Sequence, residues 1–192
     1  MSLSEKTSLP VIVVLGITGK QGGAVARHLI SSKNWIVKGV SRTPGSNAAL
    51  AVAKELGVEI VQGDCMNVSS LRESFSGAYG VFAVTYPFLK RWSPFEKNES
   101  SYDAEVKQGK NVVDACIHCS VSHLVFSSVA HALENTGVPT FEAKAGTCLF
   151  SFPRRFIPVI TILSLQKWSG TYNQKHSWNI QLYLALLDLW II

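Results

Sequence analysis

The stretch VIVVLGITGKQGG, residues 11–23, constrains this chain more than any other feature. It opens with five apolar residues, mostly β-branched, and a run that short and that branched reads as a strand buried on both faces. Gly16, Gly19, Gly22 and Gly23 follow at once. Val25 and Leu29, with Ala26 and Ile30 beside them, then recur at helical spacing, which predicts a helix over 20–31. A strand that turns through glycines directly into a helix is the first part of a βαβ unit. In that setting the spacing Gly16-x-x-Gly19-x-x-Gly22 has a physical reading. Gly16 permits a tight turn, Gly19 lets backbone amides approach a pyrophosphate, and Gly22 lets the helix pack close to the sheet. The unpaired amides and the positive end of the helix dipole favour phosphate. Ile17 completes the loop, and Thr18, Lys20 and Gln21 offer further donors. The alternative is a glycine-rich turn that holds no ligand.

The alternation continues downstream. Strands are predicted over 35–41, 58–64, 80–85 and 123–129, and helices over 46–56, 68–75 and 101–119. Gly57 supplies a stop for the second helix. In the helix over 101–119, Val106, Val113, Cys116 and Ile117 are expected to face inward. Strands alternating with helices predict an α/β fold, a doubly wound parallel sheet of the Rossmann type with right-handed crossovers. Ligands of such sheets sit beyond the carboxyl ends of the strands. Residues 9–147 are read as this one domain. Residues 148–192 lose the strand–helix beat, and FIPVITIL, 156–163, is the one further strand candidate there. That tail is assigned no domain.

Charge narrows the partners. The net charge is +5, but residues 1–147 carry 14 basic against 12 acidic side chains, so no basic stripe points to nucleic acid. The first ten residues lack the apolar core of a signal peptide, and NIQLYLALLDLWII at the end is too short to span a bilayer and carries Asp188. A cytoplasmic or nuclear location, with no membrane, is expected. The cysteines Cys65, Cys116, Cys119 and Cys148 are then read as thiols rather than disulfides. CIHC, 116–119, has metal-pair spacing but no second pair of ligands, and it falls late in a helix. No metal site is expected.

The segment after the second strand selects the dinucleotide. An NAD site wants an acid there for the ribose 2′-hydroxyl. This chain has SRTPGS instead, so Arg42, flanked by Thr43 and Ser46, is read as the partner of a 2′-phosphate, and NADP(H) as the cofactor. Arg42 as a plain surface arginine is the alternative. Asp64, after the third strand, either accepts from an adenine amine or caps the next helix; the Cys65 backbone lies beside it. Thr85, Tyr86 and Pro87 follow the fourth strand and border the nicotinamide half. The aromatic loop over 88–100 is read as a lid or as packing.

Catalytic machinery is harder to find. Tyr86-x-x-x-Lys90 matches the Tyr-x-x-x-Lys pair of reductases, but Pro87 breaks a helix there and the strand is the wrong one. Ser127 and Ser128 occupy helper positions without a phenol. No catalytic residue is assigned, and His118, His123, His131 and His176 are read as surface or helix-end residues.

Taken together, VLGITGKQGGAVARHL, VSRTP, VEIVQGD, VFAVT, EVKQGK and FEAK resemble the NmrA-like family, atypical relatives of short-chain dehydrogenases, over about residues 9–146. The resemblance implies a NADP(H)-binding redox sensor and regulator of transcription, with regulatory protein partners or a homodimer. It implies that Gly16 to Gly22, Arg42, Thr43 to Ser46, Asp64 and Thr85–Pro87 contact the cofactor. It adds two lysines to that set: Lys107 of EVKQGK and Lys144 of FEAK. The family commonly lacks the active tyrosine. A NADP-dependent reductase of small carbonyls or quinones, and an inactive truncated variant, remain the other readings. After Lys144 the sequence departs from the family's pattern.

Overall fold

The computed structural model describes residues 8–86, 101–128, 142–144 and 146–147. Five strands and four helices alternate: β1 Val11–Leu15, α1 Lys20–Ser32, β2 Ile36–Ser41, α2 Asn47–Leu56, β3 Glu59–Gln62, α3 Val68–Phe75, β4 Gly80–Ala83, α4 Ser101–His118 and β5 His123–Phe126. All pairings are parallel, in the order β3-β2-β1-β4-β5. Chain order therefore reverses beside β1, between β2 on one side and β4 on the other. This is the switch point at which a doubly wound sheet opens a crevice.

The continuous apolar run of β1 follows from covering both faces. Val13 and Leu15 pack with Leu71 and Phe75 of α3 and with Val112, Val113 and Cys116 of α4. Val14 packs the other way, against Val25, Ala26 and Leu29 of α1. Each residue of the run thus meets a helix, so none of it reads as polar. The inward face expected of α4 needs one correction: Ile117 is 43% exposed. It points away from the stripe Val112, Val113, Ala115 and Cys116, all of them buried.

The helix ends differ in how their amides are satisfied. Ser46 caps α2 by accepting from the Ala49 amide, and Asn67 caps α3 by accepting from the Ser69 and Ser70 amides. The cap of α1 is Gly19, which has no side chain to offer, and the first turn of α1 holds no acid. The predicted tail 148–192, the strand 156–163, the loop over 88–100, Pro87 and Lys90 lie outside the described residues. Among the described residues no helix is long and apolar enough to cross a membrane.

Candidate functional site

A cleft of about 540 Å³ lies at the carboxyl ends of the strands. One half is built on β1, β2 and β3. Its floor is the glycine turn, where Gly16 takes a positive φ of 67° that only glycine adopts without strain. A Cβ at Gly22 would run into the backbone of the same turn, 2.6 Å from the Gly16 carbonyl carbon and 2.8 Å from the Leu15 carbonyl oxygen. The turn and the helix are therefore in contact with no room for a side chain. Thr18, Gly19, Lys20 and Gln21 line the cleft above them. Ile17 does not: it is fully buried, and its side chain seats on Gly39 of β2, where a Cβ would stand 2.6 Å from Ile17 Cδ1. Ile17 pins the turn to the sheet rather than facing a ligand.

Arg42, Thr43 and Ser46 line the cleft past β2, and Asp64 and Cys65 line it past β3. Among the described residues the Arg42 guanidinium has no ion pair, whereas Arg27 pairs with Glu55, Lys38 with Glu59 and Lys144 with Glu105. Ser46 serves two purposes, since it also caps α2. Asp64 does not cap α3, whose cap is Asn67; its Oδ1 accepts from the Met66 amide at 2.9 Å. Burial pushes the Cys65 thiol up to about 12; the Asp64 carboxylate adds to that and the Arg42 guanidinium opposes it. Cys65 is thus a neutral thiol in the wall. Cys116 and Cys119 are raised as well, chiefly by burial, and the Cys119 thiol donates to the Arg72 carbonyl.

The other half is built on the end of β4, on α4 and on the helical residues 142–144 and 146–147. Thr85, Tyr86 and Gln108 line it. Gln108 clasps the Tyr86 peptide: its Nε2 donates to the Tyr86 carbonyl at 2.9 Å and its Oε1 accepts from the Tyr86 amide at 3.1 Å. Behind Thr85 stands Glu105, fully buried. Its Oε1 accepts from the Thr85 hydroxyl at 2.7 Å and pairs with Lys144 Nζ at 3.0 Å. Lys144 Nζ also donates to Thr85 Oγ1 at 3.2 Å and to the Ser127 carbonyl at 3.3 Å, and lies 5.7 Å from the centre of the Phe126 ring. The Ser127 hydroxyl donates to Gln21 Oε1 at 2.8 Å, which ties this half to the glycine turn.

Of the two lysines the resemblance adds, Lys144 is one side chain behind the cleft wall. Lys107 is exposed on α4 and does not line the cleft. Glu105, Gln108 and Gly63 belong to the site and were not expected from the sequence. The signal for two of them is present: Glu105 and Gln108 extend the buried stripe of Val112 and Ala115 along α4 at spacings of three and four. Polar residues on a buried stripe mark groups with a structural or chemical partner.

The amides of Lys20, Gln21 and Gly22 open α1 ahead of its first internal bond, from the Gly23 amide to the Gly19 carbonyl. Glycine at the cap leaves them for an anion. A cationic side chain without a carboxylate partner stands at the mouth of β2. This donor set fits a pyrophosphate and a 2′-phosphate.

The NmrA-like family model matches residues 9–147. The chain is similar to the NmrA-like family domain-containing oxidoreductase FrzB of Cladobotryum sp, at 35% identity over 66% of this chain and 36% of that protein. It is similar to oxidoreductase notA of Aspergillus sp. (strain MF297-2), at 38% identity over 61% of this chain and 33% of that one. The chain therefore spans about a third of the length of these curated relatives. Among solved structures, the Citrobacter sp. triphenylmethane reductase complexed with NADP(H) superposes with a TM-score of 0.59 and 25% identity, over 74% of this chain and 45% of that one. The Escherichia coli quinone oxidoreductase QOR2 shares the fold at 18% identity, with a TM-score of 0.58 over 76% of this chain and 46% of that one.

Proposed function

Since this chain belongs to the NmrA-like family, we propose that its cleft holds NADP(H) and that the chain works as a redox-responsive regulator rather than an efficient enzyme. The observation that carries the cofactor is the pairing of uncapped α1 amides with an unpartnered Arg42 past β2. The first takes the pyrophosphate. The second takes the 2′-phosphate through charged hydrogen bonds, at a place where an NAD site would carry an acid. The NADP(H) bound by the triphenylmethane reductase supports this assignment. A bound cofactor supplies hydride. This chain's own residues orient it: Gly16, Gly19 and Gly22 admit the phosphates, and Gln108 holds the Tyr86 peptide at the far wall.

The regulatory reading rests on Lys144. Its ammonium has three N–H bonds and three acceptors, Glu105, Thr85 and the Ser127 carbonyl, so each proton is already committed. A sensor needs conformers that differ in affinity for the two cofactor forms, read out by a regulatory protein partner or a second copy of the chain. Two observations favour a reductase of small carbonyls or quinones instead: a buried, charged cluster stands at the end of the cleft, and the curated relatives are named oxidoreductases. Titration with NADPH followed by thermal melting tests the cofactor, which is expected to raise Tm with concentration. Sustained NADPH oxidation with a panel of quinones would replace the regulator with the reductase; binding without turnover is the expected result.

A further inference from the structure

The Glu105–Lys144 pair is the least ordinary feature outside the phosphate half of the cleft. It stands directly behind Thr85, whose hydroxyl touches both members, at 2.7 Å from Glu105 Oε1 and 3.2 Å from Lys144 Nζ. Thr85 itself lines the cleft. Glu105 is fully buried, and its Oε2 has no hydrogen-bond partner among the described residues. A buried ion pair that leaves one carboxylate oxygen unsatisfied carries a desolvation cost, which a pair of apolar side chains of similar volume would avoid. Retaining the charge asks for a reason in what the cleft binds.

The cofactor reading supplies one, and the inference rests on it. Adenosine falls on the β2–β3 side with Arg42, so the nicotinamide falls on the β4 side beside Thr85. The two forms of NADP(H) differ there by one unit of charge: the oxidised ring is a cation and the reduced ring is neutral. In a part-buried setting the field of a nearby charge is screened far less than in water. We propose that the Glu105–Lys144 pair sets the relative affinity of the cleft for NADPH and NADP+. Lys144, the less buried member, repels the oxidised ring, and the fully buried Glu105 behind it offsets that repulsion only in part. The pair is thereby the element that determines which redox state of the pool loads the protein, which is the property a redox-responsive regulator requires.

The test is calorimetric titration of the purified full chain with NADP+ and with NADPH, for wild type and three variants. Glu105→Gln keeps the shape and leaves Lys144 uncompensated, so the ratio of the NADP+ to the NADPH dissociation constant is expected to rise by roughly tenfold. Lys144→Met leaves the carboxylate and is expected to lower the ratio. The double variant Glu105→Gln/Lys144→Met removes both charges and is expected to bring the ratio below wild type, though less far than Lys144→Met alone, because the outer member Lys144 outweighs Glu105 in the intact pair. A ratio that stays within about twofold of wild type in Glu105→Gln overturns the proposal. If that variant fails to fold, a ratio that is unchanged or raised in Lys144→Met overturns it. Thermal melting of each variant without cofactor reports folding separately. Wild type that binds neither form removes the cofactor reading itself, whereas wild type that binds both, with variants that do not shift the ratio, removes this inference alone.

Discussion

The two halves of the cleft are made in opposite ways. The half on β1, β2 and β3 is built from backbone and from residues close together in the chain. Its donors are left open: α1 begins on a glycine with no side-chain cap, and Arg42 has no ion pair among the described residues. The half on β4, α4 and residues 142–147 is closed on itself. Thr85, Glu105, Lys144 and Ser127 bind one another across long sequence separations, with Glu105 Oε2 left without a partner among the described residues. An open half binds, because its groups gain partners only with a ligand. A closed half orients, because its groups already have partners and their positions are set before anything arrives.

That contrast can be broken at several points. The largest effect is expected from Gly22→Val, which drives a side chain into the Gly16 and Leu15 backbone. Stability should fall by about 3 kcal/mol and NADPH affinity should be lost with it, as read by melting and titration. Thr85→Val keeps the volume but removes the hydroxyl between Glu105 and Lys144. It should cost about 1–2 kcal/mol while leaving the preference for NADPH over NADH in place, because that preference belongs to the other half. Loss of the preference in Thr85→Val would show that the halves are not separable. The smallest effect concerns Cys65. Its thiol is raised from 9.0 to about 12, so its contribution to stability is intact below pH 9 and is lost as pH rises toward 12. Cys65→Ser should flatten part of the alkaline slope of a denaturation series, by less than about 1 kcal/mol at pH 9.5.

The same contrast explains what was legible in the sequence. Element order and most boundaries could be read because each strand and helix carries its own periodicity and punctuation; α3 is expected over 68–75 and runs Val68–Phe75. The open half was legible for the same reason, since glycine spacing and the residue after a strand are local signals. The burial of the Ile17 side chain against Gly39 was not legible, because spacing says that a residue lies in a turn but not which way its side chain points. The closed half was mostly hidden. Glu105 and Lys144 are 39 positions apart in the sequence and meet only through the crossover that brings α4 and residues 142–147 to the end of β4. Lys107, which only the resemblance adds, is exposed and does not line the cleft among the described residues.

The most direct measurement compares the dissociation constants of NADPH and NADH for wild type and for Arg42→Ala. Wild type is expected to favour NADPH, and Arg42→Ala to lose about 2 kcal/mol of NADPH affinity, close to thirtyfold, with NADH little changed. Equal weakening of both, or a wild type that does not distinguish them, would contradict a 2′-phosphate held by Arg42.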